Sequence, residues 1–114
     1  MRRQITAAMI SQYAEVSQDT AAFHLDTHAA REAGYERPIA HGMYIMGLAQ
    51  SLYLVEHRNH WISSYSMKFQ KPLYSETTAC FQFEACEYNI QVTVTSEDGD
   101  VIAKGTFTVK ERAF

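Results

Sequence analysis

Gly42-Met-Tyr-Ile-Met-Gly-Leu-Ala-Gln-Ser-Leu-Tyr-Leu-Val-Glu56 reads as one helix that is apolar nearly all round. Met43, Tyr44, Ile45, Met46, Leu48, Ala49, Leu52, Tyr53, Leu54 and Val55 leave it no polar face, so it needs cover on most sides. The run is shorter than the roughly 20 residues that span a bilayer, and no membrane anchoring is expected. Beyond it the period changes. Tyr65, Met67 and Phe69 alternate with Ser64, Ser66, Lys68 and Gln70, and Phe81 with Phe83, then Ile90, Val92 and Val94, repeat the alternation. Period two with one apolar face predicts half-buried antiparallel strands. Asp98-Gly99, inside the polar stretch Ser96 to Asp100, predicts a hairpin loop leading into a last strand from Val101 to Val109. A helical half followed by a meandering sheet is the α+β pattern. The simplest cover for the apolar helix is a sheet that curls around it.

Upstream, Thr6 can cap a helix in which Ile10, Tyr13 and Ala14 share a face and which ends near Ser17. From Gln18 to Leu25 the periodicity fails, which predicts a loop. Asp26 or Thr27 can then cap a short helix from His28 to Ala33, closed by Gly34. Pro38 and Pro72 each stand at a change of pattern. No repeat or linker interrupts residues 1–114, which predicts a single domain.

Composition excludes several classes of function. The 10 Lys+Arg against 13 Asp+Glu give a formal net charge of -3, with no basic block to bind nucleic acid or an anionic membrane. Cys80 and Cys86 lie on one strand-like stretch, about 20 Å apart, too far for a mutual disulfide. A reducing, cytoplasmic setting fits, and Met1 to Met9 lacks the apolar core of a signal peptide.

Two features carry chemistry. Asp19 and His24 stand five residues apart between helices, and a carboxylate with an imidazole can activate a water molecule and return a proton. The same residues equally fit a turn-forming Asp and an ordinary loop His. Ala40-His41-Gly42-Met43 opens the apolar helix, where unpaired N–H groups and the positive dipole end coincide. Gly42 lets a ligand approach, so its amide can donate to a carbonyl oxygen that is gaining negative charge. A plain helix entry after Pro38 is the competing reading. His24 and His28, with Asp26 between them, are a poor metal set, because Leu25 occupies the zinc-protease Glu position and no cysteine is near. His57 and His60 flank the helix end and need no catalytic role.

The segment Asp19-Thr-Ala-Ala-Phe-His24-Leu-Asp26, followed by Ala30, Gly34-Tyr35 and Pro38-Ile39-Ala40-His41-Gly42-Met43, resembles the signature of MaoC-like (R)-specific enoyl-CoA hydratases. Lys68-Phe-Gln-Lys-Pro-Leu73 is similar to that family's R-F-x-x-P-V stretch. The resemblance implies a hot-dog fold, an antiparallel sheet wrapped around one long helix, with subunits paired edge to edge as a homodimer or an assembly of such dimers. It implies that Asp19 and His24 activate the water added to a trans-2-enoyl thioester, while the Gly42 amide polarises the thioester carbonyl. His41, Met43 and Gly47 would line the substrate pocket. The substrate would be a CoA or acyl-carrier-protein thioester, and no metal or redox cofactor is required. Two departures stand out. The family's G-D-x-N-P is Gln18-Asp19-Thr20-Ala21-Ala22 here, and Gly47 replaces a serine common in the central helix. A thioesterase or a non-catalytic acyl-thioester binding module of the same fold remain as alternatives. The first is disfavoured because the G-H-x-N and H-G-G signatures of thioesterase classes are absent.

Overall fold

The computed structural model describes residues 1–112. Ala113 and Phe114, which belong to the expected domain, lie outside the described residues. In chain order the elements are β1 (Arg2–Ile5), α1 (Ala7–Ser17), α2 (Ala22–Leu25), α3 (Thr27–Glu32), α4 (Gly42–Glu56), β2 (His60–Phe69), β3 (Thr77–Cys86), β4 (Asn89–Ser96) and β5 (Val101–Glu111). No helix among the described residues is long and apolar enough to cross a membrane.

Local chemistry sets the helix ends. The Thr6 hydroxyl accepts from the Met9 N–H at 3.1 Å to start α1, and Gln18 in the left-handed region ends it. The Asp26 carboxylate accepts from the Ala29 N–H at 2.9 Å to start α3 one residue earlier than expected. The segment expected as a loop contains α2, held by bonds from the His24 N–H to the Ala21 carbonyl and from the Asp26 N–H to the Ala22 carbonyl. A single turn is too short to display a period, which is why the sequence hides it.

The sheet is antiparallel throughout, in the order β1-β3-β4-β5-β2. It is not the simple meander expected. Only β3, β4 and β5 follow one another; β2 pairs with the far side of β5, and β1 adds an edge beyond β3. The link from β2 to β3 therefore crosses three strand spacings, about 14 Å. Its seven residues reach about 23 Å when extended. Along the way the Gln70 and Lys71 N–H groups bond to the Ile102 carbonyl, and the Ala40 N–H bonds to the Leu73 carbonyl at 2.8 Å. That crossing brings residues 70–73 against the segment that opens α4. At the β4–β5 hairpin Ser96 belongs to the strand, and its N–H closes the turn on the Asp100 carbonyl.

The core lies between α4 and the concave face of the sheet. Ile45, Ala49, Leu52 and Tyr53 of α4 pack with Phe81, Ile90, Val92, Val94, Phe107 and Val109. Each large side chain buried there contributes about 1.5–3 kcal/mol. A bulge between Ile62 and Ser64 shifts the phase of β2, so Ile62 and Tyr65 both turn inward. The Tyr65 hydroxyl then donates to the Met46 carbonyl at 2.9 Å, tying the sheet to α4. The cover of α4 is less complete than its composition predicts. Met43 and Val55 stay 65% and 58% exposed, in one stripe with the exposed Gly47, Gln50 and Ser51.

Candidate active site

His24 sits on α2 with its side chain turned inward, 8% exposed. Its Nδ1 lies 2.7 Å from the Ile39 carbonyl oxygen. A carbonyl can only accept, so the proton of the neutral ring is on Nδ1 and Nε2 carries a bare lone pair. Burial and the neighbouring His41 push its pKa below 6.5, against the opposing pull of the Ile39 carbonyl and Asp19. The ring is therefore neutral at pH 7, ready to take a proton at Nε2.

Asp19 follows the left-handed Gln18 that stops α1. One carboxylate oxygen takes a long bond, 3.5 Å, from the Ala21 N–H, so the turn-forming reading is met in part. The carboxylate is otherwise exposed beside His24. His41, at the mouth of α4, is 2% exposed and stacks on His24 with ring centroids 3.7 Å apart. One donor atom each from Asp19, His24 and His41 lies within 4.8 Å of the others. His28, by contrast, turns outward to Glu32 at 2.9 Å, so the His24/His28 pair is not brought together. The three clustered residues are poorly disposed to share one metal ion. The His24 and His41 rings are stacked within 17° of parallel with centroids 3.7 Å apart, so their lone pairs lie in two near-parallel planes and do not converge in a common plane on one ion.

Gly42 is the first residue of α4, where an N–H has no carbonyl one turn back to bond. Two cavities meet there, and both are lined by His24, Gly42 and Phe69. One, of about 510 Å³, also takes in Tyr13, Asp19, His41, Met43 and Met46. The other, of about 410 Å³, also takes in Tyr35, Ile39, Lys71 and Leu73. Asp19, His24, His41, Gly42 and Met43 are thus brought to one place. Gly47 is not. It faces outward near Gln50, Val55 and Arg58, because it stands on the α4 stripe opposite the buried Ile45 and Ala49. The single chain thus does not place it in the pocket the resemblance implies. His57 and His60 are far from this cluster in the chain and serve Tyr53: the His57 Nδ1 donates to its carbonyl, and its hydroxyl meets the His60 Nδ1, both at 2.9 Å.

Sequence reasoning missed Phe69 as a site residue and gave His41 no task beyond lining. The alternation of β2 marked Phe69 as core, yet at the strand end it is 41% exposed and lies over Gly42. Among the basic residues, Lys71 lines the cavity beside His24 but its ammonium donates to the Asp100 carboxylate at 3.0 Å, and the Arg37 guanidinium is held by the Ser75 carbonyl and the Thr77 hydroxyl.

A family model described as a MaoC like domain matches residues 1–108. The chain belongs to the MaoC-like domain family. The fold of this MaoC-like chain is the hot-dog fold of solved relatives. It superposes on the (R)-hydratase from A. caviae involved in PHA biosynthesis with a TM-score of 0.86 and 23% identity, over 98% of this chain and 92% of that one. With the unliganded R-hydratase PhaJ1 from Pseudomonas aeruginosa the TM-score is 0.87 at 19% identity, over 100% and 79% of the two chains. The mitochondrial 3-hydroxyacyl-acyl-carrier-protein dehydratase of Arabidopsis thaliana is 34% identical over 65 residues, 57% of this chain. The match spans 39% of the length of that curated relative.

Proposed function

We propose that this MaoC-like chain is a hydro-lyase that adds water, with (R) specificity, to a trans-2-enoyl thioester of CoA or an acyl carrier protein, and catalyses the reverse dehydration. One observation carries the reading. A neutral His24 with a bare Nε2 stands beside the Asp19 carboxylate, and the Gly42 N–H at the start of α4 opens on the same cavities. In the reaction, His24 and Asp19 hold a water molecule and take one of its protons as its oxygen bonds to the β carbon. The electron pair of the double bond moves onto the thioester oxygen. There the Gly42 amide meets it, a donor type worth about 3–4 kcal/mol. The proton then returns to the α carbon, so one water is added and nothing is oxidised. Each proton transfer contributes about 10²–10⁴ in rate. Met43 and His41 border the acyl space. The steps call on no metal and no redox cofactor.

We also infer that the chain acts as one domain and as a homodimer. Its radius of gyration is 14.9 Å, against about 13 Å for a compact chain of this length. The ten-residue β2 forms one sheet edge, and a long unpaired edge is normally covered. A second copy joined there makes a continuous sheet. The free thiols Cys80 and Cys86 suit a reducing compartment, the cytoplasm.

The test is to mix the purified protein with crotonyl-CoA and follow the conjugated thioester absorbance alongside a thiol assay. Absorbance loss without free thiol is expected. Thiol release would turn the reading to a thioesterase. Silence in both, with acyl-CoA binding retained, would turn it to a binding module.

A further inference from the structure

Resting on that reading, we propose that His41 is a positioning residue. It ties Asp19, His24 and the Gly42 amide into one fixed unit through a bond to the Asp19 backbone and a stack on the His24 ring. The His41 Nε2 lies 2.9 Å from the Asp19 carbonyl oxygen, which can only accept, so Nε2–H is the donor. The face of the ring covers His24 at 3.7 Å, and Tyr13 meets it edge-on, with ring centroids 4.9 Å apart. An apolar ring here would itself leave no buried polar atom without a partner. The imidazole instead keeps Nδ1 buried with no hydrogen-bond partner, an arrangement that normally destabilises. What it gains is the bond to Asp19.

That bond matters because the loop has little else to hold it. The Asp19 N–H reaches only Ser17 at 3.3 Å, and the carboxylate reaches only Ala21 at 3.5 Å. Both ties are local to the loop. His41 supplies a tie across 22 residues of sequence to the segment that opens α4. The same extended segment grips His24 twice, in the plane of its ring through the Ile39 carbonyl and on its face through His41. Gly42 is the next residue along. Movement of the helix entry therefore moves base, carboxylate and amide together. A misplacement of about 1 Å at a reacting centre can cost about 100-fold in rate.

The experiment compares His41→Phe, which keeps the stack and loses the donor, with His41→Gln, whose amide nitrogen can restore the donor to Asp19. His41→Phe is expected to lower kcat for crotonyl-CoA hydration about 10- to 100-fold with KM changed less than about 3-fold. His41→Gln should recover at least about 5-fold of that loss. The acid limb of the rate profile should move to higher pH in His41→Phe, since His41 helps hold the His24 pKa down. Full activity in His41→Phe, or equal loss in the two variants, overturns the proposal. If the wild-type protein hydrates no enoyl thioester, the functional reading falls while the clamp is still decided by NMR. Unchanged His24 titration and unchanged Asp19–Ala21 amide shifts in His41→Phe would sink it.

Discussion

The Phe69 ring lies so close over Gly42 that a Cβ built on the glycine would stand 3.1 Å from its Cζ. Phe69 ends β2 and Gly42 begins α4, so this contact is where sheet and helix close on the two cavities that share His24. Alanine is the better helix former, so propensity alone would not make this substitution harmful. The expected result is nevertheless a fall in turnover of at least about 10-fold, because the displaced ring intrudes where the thioester must meet the amide. Steady-state kinetics with a parallel melting curve separates this from unfolding. In a Phe69→Ala background the same substitution should cost less, since the two residues touch and their effects should not add. Equal costs in both backgrounds would show that the contact does not govern access.

The proton chemistry predicts a pH profile. Burial, with His41 beside it, holds the His24 pKa below 6.5. Hydration that needs a bare Nε2 should thus persist as pH falls through 6.5, and decline only when the lowered folded pKa is reached. The stability contribution has the same sign. Between the folded pKa and 6.5 the unfolded chain binds more protons than the folded one, so stability is complete above 6.5 and is lost as pH falls through that window. Asp19 works against the shift, so Asp19→Asn should lower the His24 pKa further, as read by NMR titration of the ring. An unchanged or raised value would mean that the two groups do not face each other. Both Asp19→Asn and His24→Ala should cut kcat by about 10² or more while leaving acyl-CoA binding largely intact.

Much of this arrangement was legible in the residue pattern, for reasons that differ by element. The apolar run from Gly42 to Glu56 spans four turns, long enough to read as a helix, though its all-round apolar composition overstated its burial, and the Thr6 and Asp26 caps act through chemistry local to a few residues. Strand order was not legible. Alternation fixes which face of a strand is buried but not which neighbour it pairs with, so β2 beside β5 emerged only from the fold. The site divides the same way. Spacing alone left Asp19, His24 and Gly42 open to a turn, a loop histidine and a plain helix entry, and only the resemblance of their segments to the MaoC-like signature implied roles for them, whereas the work of His41 depends on a stacking distance that no spacing encodes. Gly47 is the converse case, since an all-round apolar helix gave no sign that in the single chain it faces outward.

Gly105 offers a prediction about stability alone. It sits in β5 opposite Met67, and a Cβ there would collide with the backbone carbonyl of Ser66 and crowd Met67 Cα at 3.1 Å. Backbone cannot swing aside as the Phe69 ring can. Gly105→Ala should therefore part β2 from β5 locally and lower stability by about 1–3 kcal/mol, the range for overpacking a tight interior. A lowered urea midpoint is the expected result. A midpoint equal to that of wild type would show that β2 shifts freely along this edge.

The α4 stripe of Met43, Gly47, Ser51 and Val55 makes the dimer testable without touching the acid–base pair. Val55 is 58% exposed in the single chain and belongs to no buried contact of the core. On an isolated chain Val55→Lys should change stability by no more than about 0.5 kcal/mol, as at other exposed positions. If a second copy covers the stripe, the same lysine would be buried without a partner at the interface, at a cost of several kcal/mol. Light scattering after gel filtration should give twice the chain mass for the wild-type protein and a shift toward single chains for Val55→Lys, with the circular dichroism spectrum unchanged. A wild-type dimer that tolerates the lysine would place the subunit contact at the β2 edge away from α4, and a wild-type monomer would remove the dimer altogether.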